Sequence, residues 1–256
     1  MPGYARAAIL ASAVFCACDT ARERSAQERS AAPPLSASDV ELRTNADGRP
    51  IAAADAGLDS TAAVARLVEV QAIADTATAE SVLALALLRA GLLKVQLYPA
   101  DYFGGEAAKR PQDFFHDEIA GGWLYNGADF DTLLVRFPMS PLADDARYAK
   151  LFLIPGGECE GRVDCIIGYG LHRPIEFLRT DANSPHAPAV LATINRELRR
   201  ALADVPDLRT ATESYDPIAV RGQLASYDSV ARRLPLRLRD SATALLDSIW
   251  ARFADR

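Results

Sequence analysis

The sequence predicts an all-α protein, and three observations predict it. Apolar residues recur at three- and four-residue spacing in segment after segment. The stretch Phe130 to Lys150 writes a helix end, a turn and a helix start in one line. No run alternates apolar and polar residues as a half-buried strand would, so no strand is expected. Half of the 256 residues are apolar, enough to bury a core, and 28 basic against 34 acidic residues leave a net charge of −6 with neither sign gathered in a long block. A nucleic-acid surface would need a basic face. The local clusters Arg196, Arg199, Arg200 and Arg232, Arg233, Arg237, Arg239 read instead as solvated helix faces.

The first element is a targeting segment. Ala7 to Phe15 is apolar except for Ser12, too short for the roughly 20 residues of a membrane span but suited to a secretory signal at 1–17. The ending Phe15-Cys16-Ala17-Cys18 resembles a bacterial lipobox, in which a small residue precedes the lipidated cysteine. Ala17 makes Cys18 that residue, although Phe15 stands where the motif usually has Leu; an ordinary signal peptide cut nearby is the alternative. Asp19 follows, a residue that in enteric bacteria holds lipoproteins at the inner membrane, and inner or outer membrane stays open. Removing Met1 to Ala17 loses only Arg6 among the charges and takes −6 to −7, so the lipid rather than charge would draw the chain to an anionic bilayer. Residues 18–57, polar and rich in Ala and Ser with Pro33-Pro34, Asn45-Ala46-Asp47-Gly48 and Pro50, read as a flexible tether.

Helices begin at Asp59-Ser60-Thr61. The second, Thr78 to Gln96, is apolar nearly all round, which places it at the centre of a core; Arg89 and Lys94 interrupt it and argue against a membrane span. A third helix is expected over Pro111 to Tyr125, a turn at Asn126-Gly127, and a fourth helix over Ala128 to Phe137. Pro138 stops that helix, and Ser140 can cap a new one with Pro141 in its first turn. Pro155-Gly156-Gly157 breaks it. Val163 to Thr180 follows, with Pro174 kinking or splitting it, and then a helix from Ser184 to Ala203. Val205 to Asp216 is a gap before two last helices, about Ile218 to Leu234 and Leu236 to Ala254. Residues 58–204 thus form one helical domain and 205–256 a closing pair packed on it or extending it.

Of four cysteines, Cys159 and Cys165 would survive processing unmodified. In an oxidising compartment they read as one short disulfide. A redox pair or half a zinc site are the alternatives, against which stand five intervening residues and the lack of a nearby completing set.

The joint at Ser140 recurs. Ser184-Pro185 lies 44 residues after Ser140-Pro141, behind Phe177-Leu178, and a repeated joint suggests a repeated unit. The run Phe130, Leu133-Leu134, Phe137-Pro138, Ser140-Pro141, Ala143, Ala146, Tyr148, with Ser184-Pro185 and Ala187 in the second copy, resembles the tetratricopeptide-type repeat of periplasmic lipoproteins such as the barrel-assembly lipoprotein BamD and the Tol-Pal accessory protein. The resemblance covers roughly Gln112 to Leu202, and the second copy has Ala182 where the first has Pro138. It implies antiparallel helical hairpins stacked as a short solenoid, with small Ala143 and Ala146 letting helices approach. It also implies a setting in envelope assembly or maintenance.

Catalytic motifs do not emerge. There is no GxSxG, phosphate-binding loop, dinucleotide fingerprint or HExxH. His116, Asp117 and Glu118 are the one cluster that could be drawn as an acid-base group, and a polar helix face is the plainer reading. The expectation is therefore a non-enzymatic, lipid-anchored scaffold facing the periplasm, which binds an envelope protein or peptide and uses no cofactor, metal or nucleic acid. An exported enzyme or enzyme accessory acting on cell-wall or surface polymer is the alternative, and a solute-binding or sensor lipoprotein a third.

Overall fold

The computed structural model describes residues 35–45, 48–97, 109–118, 121–154, 159, 161–203, 205 and 215–254. Cys18 and the signal segment lie outside them, as does most of the gap after Val205. The chain is mostly helical. Helices run over Ser60–Thr76 (α1), Glu80–Gln96 (α2), Ala128–Arg136 (α3), Ala143–Lys150 (α4), His172–Thr180 (α5), Ala187–Ala201 (α6), Pro217–Ala231 (α7) and Leu236–Ala254 (α8). Asp59 starts α1 by accepting the Ala62 N–H at 2.8 Å. Asp216 starts α7 in the same way, accepting from the Ile218 N–H at 2.9 Å, with Pro217 in the first turn.

Two hydrophobic cores organise these helices. The N-terminal core is built on α2, whose residues from Leu83 to Val95 are buried apart from half-buried Leu85. Against it pack Leu67 and Val70 of α1, Phe130 and Leu133 of α3, and Ala143, Ala146 and Ala149 of α4. Gly91 leaves room for the Phe130 ring, on which a Cβ at that position would fall. The C-terminal core gathers Ile175, Phe177 and Leu178 of α5, Ile194 and Leu198 of α6, Val220, Leu224 and Tyr227 of α7, and Ala242, Leu246 and Phe253 of α8. Arg252 ties its end down by donating to the carbonyls of Leu202, Ala203 and Val205 beyond α6, at 2.8, 3.0 and 2.7 Å. Those carbonyls lie just past the last turn, where a helix leaves its acceptors unpaired.

Three expectations need correction. Residues Pro111 to Tyr125 are not a helix. They form a short 3₁₀ turn at Pro111–Asp113 and then a hairpin of two strands, Phe114–Asp117 (β3) and Gly122–Tyr125 (β4), in the register Phe114↔Tyr125 to Asp117↔Gly122. Aromatic residues on both arms suit a pleated surface, and Gly121 takes φ 67° at the turn, whereas Gly121 and Gly122 inside a helix would each cost about 1 kcal/mol. Nor is the fold free of strands elsewhere: Leu42–Thr44 (β1) and Pro50–Ala52 (β2) pair antiparallel. They belong to the third correction. The segment read as tether packs from Leu35 onward, with Val40 and Ala52 buried in the N-terminal core and Ile51 buried beside Ala52 in β2. Its turn closes through Gly48 N–H to the Asn45 carbonyl, at 3.0 Å, and Arg49 N–H to the Asn45 side chain, at 2.9 Å.

Pro174 splits its helix as expected. A helical turn at Val163–Cys165 widens into a π-helical turn at Ile166–Gly170, and α5 restarts at His172 with Pro174 in its first turn. There the missing N–H of proline takes nothing from the ladder. Cys159 and Cys165 are joined, their Cα atoms 5.3 Å apart, just ahead of this break.

Candidate functional site

The two joints that the sequence repeats have one geometry. In the first, the Phe137 N–H donates to the Leu133 carbonyl at 2.8 Å, Ser140 to Phe137 at 2.9 Å and Ala143 to Ser140 at 3.0 Å. In the second, Asp181 donates to Phe177 at 2.7 Å, Ser184 to Asp181 at 2.9 Å and Ala187 to Ser184 at 3.1 Å. Each serine hydroxyl accepts the N–H two residues on, from Leu142 and from His186, at 3.2 Å in both joints. Every member of one set lies 44 residues from its counterpart, and α3 and α5 are both nine residues long. The serines therefore shape the turns, two residues ahead of the N-cap positions Leu142 and His186, and do not cap α4 or α6. Buried Phe130, Ala143 and Ala146 serve the first hairpin; buried Ser184 and Ala187 serve the second. Leu134 and Phe137 are half-buried against the N-terminal core, while Pro138, Pro141 and Pro185 face solvent.

The second joint sits on α4 of the first hairpin. His186 stacks flat on Tyr148, ring centroids 4.3 Å apart, and its Nε2 meets Asp145 Oδ1 at 2.7 Å. Arg147 pairs with Asp144 at 2.6 Å and reaches Asp181 at 3.8 Å. Arg173 donates to the Leu153 carbonyl at 3.2 Å. These contacts link the two cores, and beside them opens a cleft of about 710 Å³.

The lining of the cleft has distinct parts. Tyr148, Leu151 and Phe152 come from the end of α4, where Tyr148 meets Phe152 edge-on at 5.2 Å. Leu171 and Pro174 come from the start of α5, and Ala189, Val190, Ala192 and Thr193 from α6. Arg49 enters from the β1–β2 turn, with one guanidinium nitrogen donating to the Val95 carbonyl at 3.1 Å. Arg196 and Glu197, paired at 3.0 Å, close the other side. An aromatic and aliphatic floor with arginines at its edges can hold an apolar side chain while satisfying a nearby carboxylate or carbonyl.

Of the predicted repeat residues, Tyr148 alone reaches this cleft, and the others build the hairpins around it. His116 and Asp117 lie on β3, not on a helix, and His116 stands opposite Trp123 with the rings edge-to-face at 5.4 Å. Arg49 and Phe152 carried no motif and Arg196 stood out only as part of a basic cluster read as a solvated face, because the cleft forms from segments about 100 residues apart in the chain, brought together only by packing.

A second constellation lies inside the N-terminal core. Arg89 donates to both carboxylate oxygens of Asp55, at 2.8 and 2.6 Å, and this pairing holds its guanidinium above its ordinary pKa against the cost of burial. Five residues on, Lys94 Nζ meets Asp113 Oδ2 at 3.1 Å and Asp129 Oδ2 at 2.8 Å. Two cations on an otherwise apolar helix were the available signal, but their partners lie too far along the chain to read. Among the described residues no group of three His, Cys, Asp or Glu side chains is placed to hold a metal ion, and no helix is long and apolar enough to cross a membrane. The chain matches no protein-family model, no curated protein and no solved structure.

Proposed function

We propose that this chain is a lipid-anchored helical-repeat scaffold of the bacterial cell envelope that binds a protein or peptide partner in the cleft between its two cores, in outer-membrane assembly or maintenance. The observation that carries the reading is the recurrence of one joint, hydrogen bond for hydrogen bond, at an offset of 44 residues. In this reading α3–α4 and α5–α6 are successive units of a short solenoid, and α7–α8 close it. Stacked hairpins leave a concave face between them, and here that face is apolar with arginines at its edges. The Cys159–Cys165 bond supports an oxidising compartment, and Cys18 supplies the anchor.

The test is made in intact cells. A photo-reactive amino acid at Ala192, which lines the cleft, is expected to give a defined adduct with one envelope polypeptide in the membrane fraction, and the same group at solvent-facing Ala225 of α7 none. The Cys18→Ala variant is expected to leave the membrane fraction and lose the adduct. A protein that fractionates identically with and without Cys18, or that cross-links equally from both positions, would overturn the proposal.

A further inference from the structure

The Lys94 cluster goes beyond the scaffold reading. Lys94 Nζ is fully enclosed, and Phe114 and Tyr125 flank it with ring centroids at 5.5 and 5.0 Å. Its two carboxylates are held differently. Asp129, in the first turn of α3, accepts the Tyr125 hydroxyl at 2.7 Å, while its own N–H donates to that hydroxyl at 2.9 Å. Burial and the neighbouring Asp129 push the Tyr125 hydroxyl well above its ordinary pKa, so it stays a donor. Asp113 ends the 3₁₀ turn, and its backbone carbonyl accepts the Asn126 N–H at 3.0 Å. Its carboxylate faces Lys94 through Oδ2. One ammonium and two carboxylates in a dry aromatic pocket are costly, since taking each ion out of water costs several kcal/mol even after relaxation.

We propose that Lys94 and Asp113 condense to an intramolecular amide, with Asp129 as the group that carries the proton. The ammonium of Lys94 gives one proton to Asp129 Oδ2, and the freed amine attacks Cγ of Asp113. Asp129 returns that proton to the departing carboxylate oxygen, and the second proton lost from nitrogen leaves with it as water. The C–O bond breaks as the C–N bond forms, no oxidant or reductant is needed, and one ammonium and one carboxylate become one neutral amide and one water. Asp129 ends as a carboxylate accepting from the new amide N–H and from Tyr125. Fixed juxtaposition replaces activation, as effective molarities on the order of 10⁵–10⁸ M allow for well-oriented groups.

The experiment is a tryptic digest of the purified full-length protein after reduction and alkylation. Trypsin does not cut after an acylated lysine or readily before a proline. The expected product is Ala90–Lys109, uncut at Lys94, joined to Arg110–Arg136 with the mass of one water missing, and fragmentation places the branch on Asp113. Asp113→Asn should give the same branched product, its leaving group being ammonia. Asp129→Asn should give the unbranched chain. Recovery of Ala90–Lys94 as a separate peptide beside unmodified Arg110–Arg136 from the unsubstituted protein would overturn the proposal; a branch in Asp129→Asn would overturn the role given to Asp129.

Discussion

The two cores of this protein contain the same helix–turn–helix joint and are finished differently. Both contain a nine-residue helix, a serine turn with the same hydrogen bonds 44 residues apart, and a second helix, eight residues long in one and fifteen in the other. In the C-terminal core that hairpin packs on α7 and α8 largely through aliphatic and aromatic side chains, among which the buried Tyr227 hydroxyl donates to Asn195 at 3.2 Å. In the N-terminal core it packs on α2, which brings two cations inside and binds them to Asp55, Asp113 and Asp129. Apolar contacts can relax in part around a loss, whereas removing one partner of a buried ion pair leaves an uncompensated charge. The difference teaches where each core takes its definition: shape in one, paired charge in the other.

The largest expected effect breaks the charge pairing. Arg89→Met keeps much of the volume but leaves Asp55 buried without its cation, and should destabilise the N-terminal core by about 3–5 kcal/mol, read in a denaturant melt. Hydrogen exchange is expected to place the loss in α1 and α2 and spare α7 and α8. The matching experiment in the other core is Leu246→Ala, which opens a cavity among α6–α8 and should cost about 2–5 kcal/mol with the opposite exchange pattern. If either substitution melted both cores together in exchange, the contrast between them would be lost.

Gly91→Ala tests packing within the charged core. The added methyl meets the Phe130 ring, and overpacking of this kind costs about 1–3 kcal/mol; a shortened side chain in the double variant with Phe130→Leu should recover part of it. Alkaline pH sharpens the comparison least. Burial raises the hydroxyl pKa of Tyr125 in one core and of Tyr227 in the other. Each hydroxyl stays protonated in the folded chain and ionises in the unfolded one above about pH 10, so the stability each provides is complete below that pH and is lost as pH rises toward the folded value. The slope is at most about 1.4 kcal/mol per pH unit per tyrosine. Tyr227→Phe should remove the C-terminal share of the slope and leave the N-terminal share.

Much of this fold could be read before folding. The spacing of Leu245, Leu246, Ile249 and Phe253 placed α8 at its observed ends, and Pro174 announced a split that the π-helical turn completes. The hairpin at Phe114–Tyr125 is hidden in the sequence because Phe114, Phe115, Trp123 and Leu124, which lie on its two short strands, also complete a helical stripe with Ile119. Only pairing across the turn distinguishes them. The described part of residues 35–57 is hidden because it anchors itself with few apolar side chains, among them Val40 and Ile51, which composition averages away. Cleft and ion cluster were invisible for a different reason: Lys94 finds its partners 19 and 35 residues away, and Arg49 finds the edge of α6 only through the packing of both cores.

The most direct test of the central claim, that the meeting of the repeated hairpins makes a peptide-binding cleft, is a selection of displayed peptides against the purified chain and against its Ala192→Trp variant, in which an indole fills the cleft. The expected result is a set of peptides combining a large apolar residue with an acidic one, bound at least tenfold more weakly by Ala192→Trp and by Arg49→Glu, with the fold of both variants unchanged. Equal enrichment on the native and filled-cleft proteins, or none on either, would contradict it.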